Sequence, residues 1–205
     1  MLSAIETIFN RAATAMGSIQ RFAGVVVPVR KVSNDGRTEG IYPVGCVASG
    51  ECEEGAKLNY VTPDEALTGV AYVEQRGAPS VTVADNIFQM TYPVRFVAWM
   101  NMGKLGYTVC TSTHLFELAA LKCLQQQQTV TVAGIDDDVQ IRVRNFRMAV
   151  KEPGNIFRNY SFADNMALYF WPFDYFAIDC DVTFFVPYHC IPAIELPEAV
   201  ECIAY

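Results

Sequence analysis

The sequence predicts a single α+β domain over residues 1–205, a mainly antiparallel sheet packed against an N-terminal helix and a central buried helix. Three patterns carry this: apolar residues at helical spacing over residues 2–22, a nearly all-apolar helical stretch over 112–126, and two-residue alternation over 92–99 and 176–186. A chain of 205 residues hides roughly 70% of the surface its unfolded form exposes, enough for a core without covalent staples.

In chain order, Ile5, Ile8, Phe9, Ala12, Ala13, Met16, Ile19 and Phe22 follow a 3.6-residue period. Ser3 and Glu6 have capping-box spacing at its start, and Gly24 supplies a stop. Residues 24–31 are β-branched; Pro28 donates no backbone hydrogen bond, so it marks an edge strand or one with a break. Ser33-Asn34-Asp35-Gly36 is a turn signal. A long excursion over 32–79 follows, Gly-rich and acidic around Glu51, Glu53 and Glu54. Within it, Thr62-Pro63-Asp64-Glu65 combines a capping box with proline at the first helical position and predicts one short helical turn.

Residues 69–76 and 80–101 read as strand. Tyr92, Val94, Phe96 and Ala98 take one face and Pro93, Arg95, Val97 and Trp99 the other, which predicts a strand covered on both sides. Asn101-Met102-Gly103-Lys104 turns the chain. Ser112 or Thr113 caps the second helix, and Leu115, Phe116, Leu118, Ala120, Leu121 and Leu124 surround it. A helix apolar on all sides is expected to be buried on more than one. Val139, Ile141 and Val143 alternate with Gln140, Arg142 and Arg144, and Phe176, Ile178, Cys180, Val182, Phe184 and Val186 alternate with Ala177, Asp179, Asp181 and Thr183. Pairing of these two strands would set an Arg face against an Asp face, with Arg142 and Asp181 as the expected compensating charges. Residues 187–205, with Pro192 and Pro197, form an extended C-terminal arm.

Composition narrows the function classes. The formal net charge is −7, with only 15 scattered Lys and Arg, which disfavours gripping nucleic acid through its phosphates. Seven cysteines without a CxxC pair fit a reducing compartment, with Cys46 and Cys52 reduced. The N-terminal residues lack a signal-peptide pattern, and residues 166–178 are too short and too interrupted to span a bilayer, so a soluble protein is expected. Cys110 and His114 can be cast as nucleophile and base, but helix capping explains their surroundings better. His189 and Cys190 with Cys180 or Cys202 lack the paired spacing of a structural zinc site, and Asp136-Asp137-Asp138 lacks an EF-hand ligand pattern. No cofactor, metal site or catalytic residue is expected. At 52% hydrophobic and 18% charged residues, the chain has apolar surface to spend on packing within and between subunits. Interface candidates are Trp171, Phe173, Tyr175, Tyr188, Ile191, Ile194 and Tyr205, the aromatic ones being residue types enriched at interfaces.

The order of parts carries a resemblance. A strand over 92–101 precedes the helix over 112–126, and Phe173-Asp174-Tyr175-Phe176-Ala177-Ile178-Asp179 runs on to Cys190-Ile191-Pro192. This layout resembles small neck and tail proteins of tailed bacteriophages: tail-terminator, tail-completion and ring proteins, including those of crAss-like phages. The resemblance implies a non-enzymatic virion subunit that forms a ring with copies of itself around the DNA passage and contacts neighbouring neck or tail proteins. DNA would be passing cargo and no membrane would be involved. It does not account for 32–79. The alternative is a soluble ligand- or partner-binding module that uses the aromatic cluster of residues 169–176 as its pocket.

Deleting residues 191–205 is expected to weaken self-association more than it lowers the unfolding midpoint. Sedimentation and thermal unfolding of the two forms check this, and unchanged assembly by the shortened chain would exclude it.

Overall fold

The structure, a computed structural model of the chain, describes residues 1–32, 36, 38–45, 59–108, 113–125, 128–130, 132, 139–162 and 166–190. Helix α1 (Leu2–Met16) buries Ala4, Ile5, Ile8, Phe9, Ala12 and Ala13 along one stripe. Full burial of a side chain such as Ile8 or Phe9 is worth about 1.5–3 kcal/mol. The helix stops before the apolar period does. Gly17 takes the left-handed conformation (φ 67°), and its N–H bonds the carbonyl of Thr14. Ile19 and Phe22 keep the periodic spacing but reach the core from the turn and from the next strand.

Ser3 and Glu6 do not form a capping box; the first turn has no side-chain cap. Glu6 instead accepts a hydrogen bond from the Val25 N–H, 2.9 Å away, joining α1 to β1 (Arg21–Val32). Gly24 is the residue that lets them approach. It lies inside β1 with φ 77°, and a Cβ there would stand 2.6 Å from the Glu6 carboxylate. It is a bulge residue of a strand, not a helix stop.

The sheet runs β2 (Thr38–Gly45), β1, β3 (Gly69–Gln75), β5 (Ile87–Asn101), β8 (Phe173–Pro187), β7 (Val139–Met148), β6 (Gln128–Val130), with β4 (Ser80–Ala84) paired to the start of β5. Among the described residues only β1 and β3 pair in parallel. Pro28 stands opposite Pro43, and the β1–β3 pairing ends at Val26, so among the described residues the proline-bearing half of β1 is paired on one side only. β3 is buried from Gly69 to Glu74, so a central strand lies inside the supposed excursion; residues 46–58 lie outside the described residues. Thr62 to Glu65 form no helix: the Asp64 carboxylate accepts from the Ala66 N–H at 2.8 Å, an Asx turn. Asp85 and Asn86, both at positive φ, close the tight β4–β5 hairpin.

The longest ladder pairs β5 with β8 from Ile87–Pro187 to Asn101–Phe173. It spans about 50 Å. As its alternation predicts, β5 is covered on both faces. Tyr92, Val94, Phe96 and Ala98 meet the core beneath α1 and α2 (Thr113–Leu124). Val97 and Trp99 meet a second core closed by α3 (Pro153–Ile156) and the residues after it, where Phe157 stacks on Trp99 at 4.9 Å between ring centres. The central helix is less enclosed than its composition suggests. It buries Thr113, Ala120 and Leu124, while Leu115 and Leu118 stay exposed, because α2 lies on the outside of the sheet and not between two layers. The β7 and β8 strands pair as expected, but the register sets Arg144 opposite Asp181 and Arg142 opposite Thr183. The Arg142 guanidinium lies over the Phe185 ring, 5.0 Å from its centre.

Gly24→Ala should lower stability by about 1–3 kcal/mol, through the positive φ and the lost approach of Glu6. Urea denaturation measures this; an unchanged midpoint would contradict the join of α1 to β1 through Glu6 and Val25.

Candidate functional site

Charged residues are rare in the middle of this sheet, and those present form a line. Cross-strand registers set Glu74 of β3 opposite Arg95 of β5, Arg95 opposite Asp179 of β8, and Asp179 opposite Arg147 of β7. The row alternates in sign across four neighbouring strands, on the face of the second core. Arg95 is almost fully buried; its Nε and one terminal nitrogen clasp the two Asp179 oxygens at 2.6 and 2.8 Å, and the other donates to the Asn155 carbonyl at 2.8 Å. Glu74, also buried, accepts from the Tyr160 hydroxyl at 2.9 Å and from Arg76 at 3.1 Å.

Burial alone would raise the Asp179 carboxyl, but the Arg95 hydrogen bonds and the charges of Arg95, Arg76 and Arg147 outweigh it and hold the group below its ordinary value. Hydrogen bonding to Asp179 raises Arg95 against the opposing effect of burial. Burial, then the neighbouring Glu74, pushes Tyr160 up, and burial pushes Tyr72 well up beside it. Both phenols therefore stay protonated.

Arg147 owes its place to a bulge. Asn145 takes φ 55°, the register shifts between Arg144 and Arg147, and the Asn145 amide donates to Asp181 at 2.7 Å. Without the extra residue, Phe146 would face Asp179. Arg147 has no ion pair or hydrogen bond among the described residues. Beyond the row the apolar cover ends, leaving a cleft of about 410 Å³ lined by Arg76, Arg95, Arg147, Asn155, Asp179 and Asp181, among others. Asp179 is already engaged by Arg95, so the Arg147 side of the cleft suits an incoming carboxylate or another anion.

The interface candidates fall in different places. Trp171 and its neighbour Phe170 are exposed, at 50% and 60%, at the turn leading into β8. Phe173 and Tyr175 are core residues: the chain passes inward directly after that turn, and burial, with Asp174 next, pushes the Tyr175 phenol up to about 12. Tyr188 is exposed at the far end of β8, stacked on Phe88 at 5.6 Å. Ile191, Ile194 and Tyr205 lie outside the described residues. The same far end holds a surface that sequence reading missed. β4 pairs only with β5 among the described residues, and Val81 and Val83 are 53% and 61% exposed. They stand opposite Met90 and Phe88 and so continue the apolar face of the first core into solvent. The Asp85-Asn86 turn between alternating apolar residues was its available signal.

Asp174 ties α2 to the sheet. Its carboxylate accepts from the Thr113 hydroxyl at 2.5 Å and from the Lys151 amine at 2.6 Å. His114 is exposed in the first turn of α2, while Cys46, Cys52, Cys110, Cys202 and Asp136 to Asp138 lie outside the described residues. Burial, then Asp181 and Asp179, pushes the Cys180 thiol up, which leaves it a protonated core side chain. Among the described residues no group of His, Cys, Asp and Glu is placed to hold a metal, and no helix is long and apolar enough to cross a membrane. The chain matches no protein-family model and no curated protein.

Asp179→Asn should cost about 2 kcal/mol at pH 7, less than the ~3–5 of a fully buried pair because the carboxylate is partly exposed. Asp179 is depressed in the fold, so its contribution is present above the unfolded value of 3.8 and is lost as pH falls through the lower folded value. Urea unfolding at both pH extremes should show the gap between wild type and variant closing in acid; a constant gap would refute the assignment.

Proposed function

We propose that the chain is a virion structural protein, a subunit joining copies of itself into a ring at the neck or tail of a tailed phage, between head and tail components around the DNA passage. The observation that carries this reading is the position of the exposed apolar side chains. Val81, Val83 and Tyr188 lie at one end of the β5–β8 ladder and Phe170 and Trp171 at the other. A heterologous interface needs two unlike patches on each subunit, and successive copies close into a ring when the rotation between them permits. The second edge of β4, unpaired among the described residues, rich in Val and Thr and without charge, is a template for pairing with a neighbouring strand. A net charge of −7 suits a wall past which DNA slides without being held. No enzymatic step or cofactor enters this function, and the virion is its place.

A second reading, a ligand- or partner-binding module, is favoured by the cleft of about 410 Å³, within the size range of small-molecule sites. Its location differs from the aromatic pocket anticipated for such a module.

Light scattering or native mass spectrometry separates the two: the ring reading expects a closed oligomer, visible as rings by electron microscopy, and the module a monomer or dimer. Val81→Lys with Val83→Lys should shift the population to monomer while changing stability by about 0.5 kcal/mol or less per site, as befits exposed positions. An oligomer unaffected by both lysines would remove β4 from the interface.

A further inference from the structure

One buried carboxylate meets groups from the covers of both sheet faces. Asp174, near the start of β8, stands opposite Met100, and the alternation beyond it places Phe176 and Ile178 on the same face, that of the first core. It is almost fully buried. The Thr113 hydroxyl, at the start of α2, donates to it at 2.5 Å. The Lys151 amine donates to the same carboxylate at 2.6 Å and to the Thr113 oxygen at 2.8 Å. Each of the three groups bonds the other two, a closed triangle in which loss of one corner weakens the remaining side. The Tyr175 N–H donates to the other carboxylate oxygen at 2.9 Å.

Lys151 belongs to a different cover from Thr113. After β7 the Ala149 N–H bonds the Ala177 carbonyl, Lys151 then comes alongside the start of β8, and α3 follows over the second core. By contrast, α2 packs on the first core through Ala120 and Leu124. Leu115 and Leu118 of α2 are exposed, as are Val150 and Glu152, so apolar burial adds little to either attachment at this end. A polar fastening there carries a correspondingly larger share.

We infer that Asp174 is a conformational joint: one carboxylate fastens both α2 and the segment 149–157 to β8, so that the two open and close together. The joint does not depend on the assembly reading. Its consequence is a link between the two faces of the sheet. Met148, Ala149, Val150 and Asn155 line the cleft on the second face. Displacement of α2 on the first face is thereby felt at the cleft wall, and anything that steadies that wall steadies α2.

Amide hydrogen exchange of the full chain, read by mass spectrometry, tests the joint. Lys151→Met keeps most of the side-chain length and removes the amine; it should speed exchange in α2 roughly tenfold relative to β5. Thr113→Val should do the same across 149–157, whereas Thr113→Ser, which keeps the hydroxyl, should leave that segment as in the wild type. Faster exchange confined to the segment carrying the substitution overturns the joint. So does a rise shared equally by β5, which marks general loosening of the fold, or a serine variant as fast as the valine one. A urea double-mutant cycle gives a second reading. The midpoint shift of the double variant should be smaller than the sum of the shifts of Thr113→Val and Lys151→Met. Additive shifts would reject the triangle.

Discussion

The rest of the sheet depends on the Arg95–Asp179 clasp. A guanidinium buried between β3 and β8 is tolerable only when its charge is met and its donors are used, and both conditions hold only in the observed register. Slipping β5 by one residue would turn Arg95 toward the apolar core beneath α1 and bring Val94 or Phe96 against Asp179. Much of the attraction is offset by the loss of hydration. The consequence for the fold is therefore alignment more than stability: one row of alternating charge fixes how four strands slide past each other.

The row is also a border. On one side, Val97, Trp99, Tyr175 and Ala177 lie beneath the segment containing Phe157, Tyr160 and Phe162, whose rings pack edge-on and stacked. On the other, the same face carries the Thr91–Thr183 hydrogen bond, Asp181 and Arg144, and no second layer among the described residues. The opposite face stays apolar past this border to Phe184 and Val186, and through Phe88 and Met90 to the exposed valines of β4. One continuous sheet thus presents a polar cleft on one face and an apolar extension on the other.

Much of the architecture was legible because its signals are local. Alternation in β5, β7 and β8 is a property of adjacent residues, and the two faces of β5 fell as read, from Tyr92 to Trp99. Errors arose where local pattern and chain path part. Ile19 and Phe22 continue a helical period across Gly17, so periodicity overran a helix that ends in a left-handed glycine. Leu115 and Leu118 are as apolar as any core residue, and composition does not say whether a second layer covers them. Phe173 and Trp171 are two positions apart, yet a turn sends one inward and the other to solvent. The charge row was out of reach for a stronger reason. Arg95 and Asp179 are 84 residues apart, and each alone reads as an isolated charge in an apolar run. Only the strand order and the Asn145 bulge bring the four together.

The long β5–β8 ladder has a mechanical consequence. Its two ends carry exposed apolar side chains, Val81, Val83 and Tyr188 at one and Phe170 and Trp171 at the other, so a load applied at them would act along the strands. Loaded in this shear direction, the rungs resist together, whereas a pull across the strands would unzip them one at a time. The fold is therefore stiffest against tension along its longest strands.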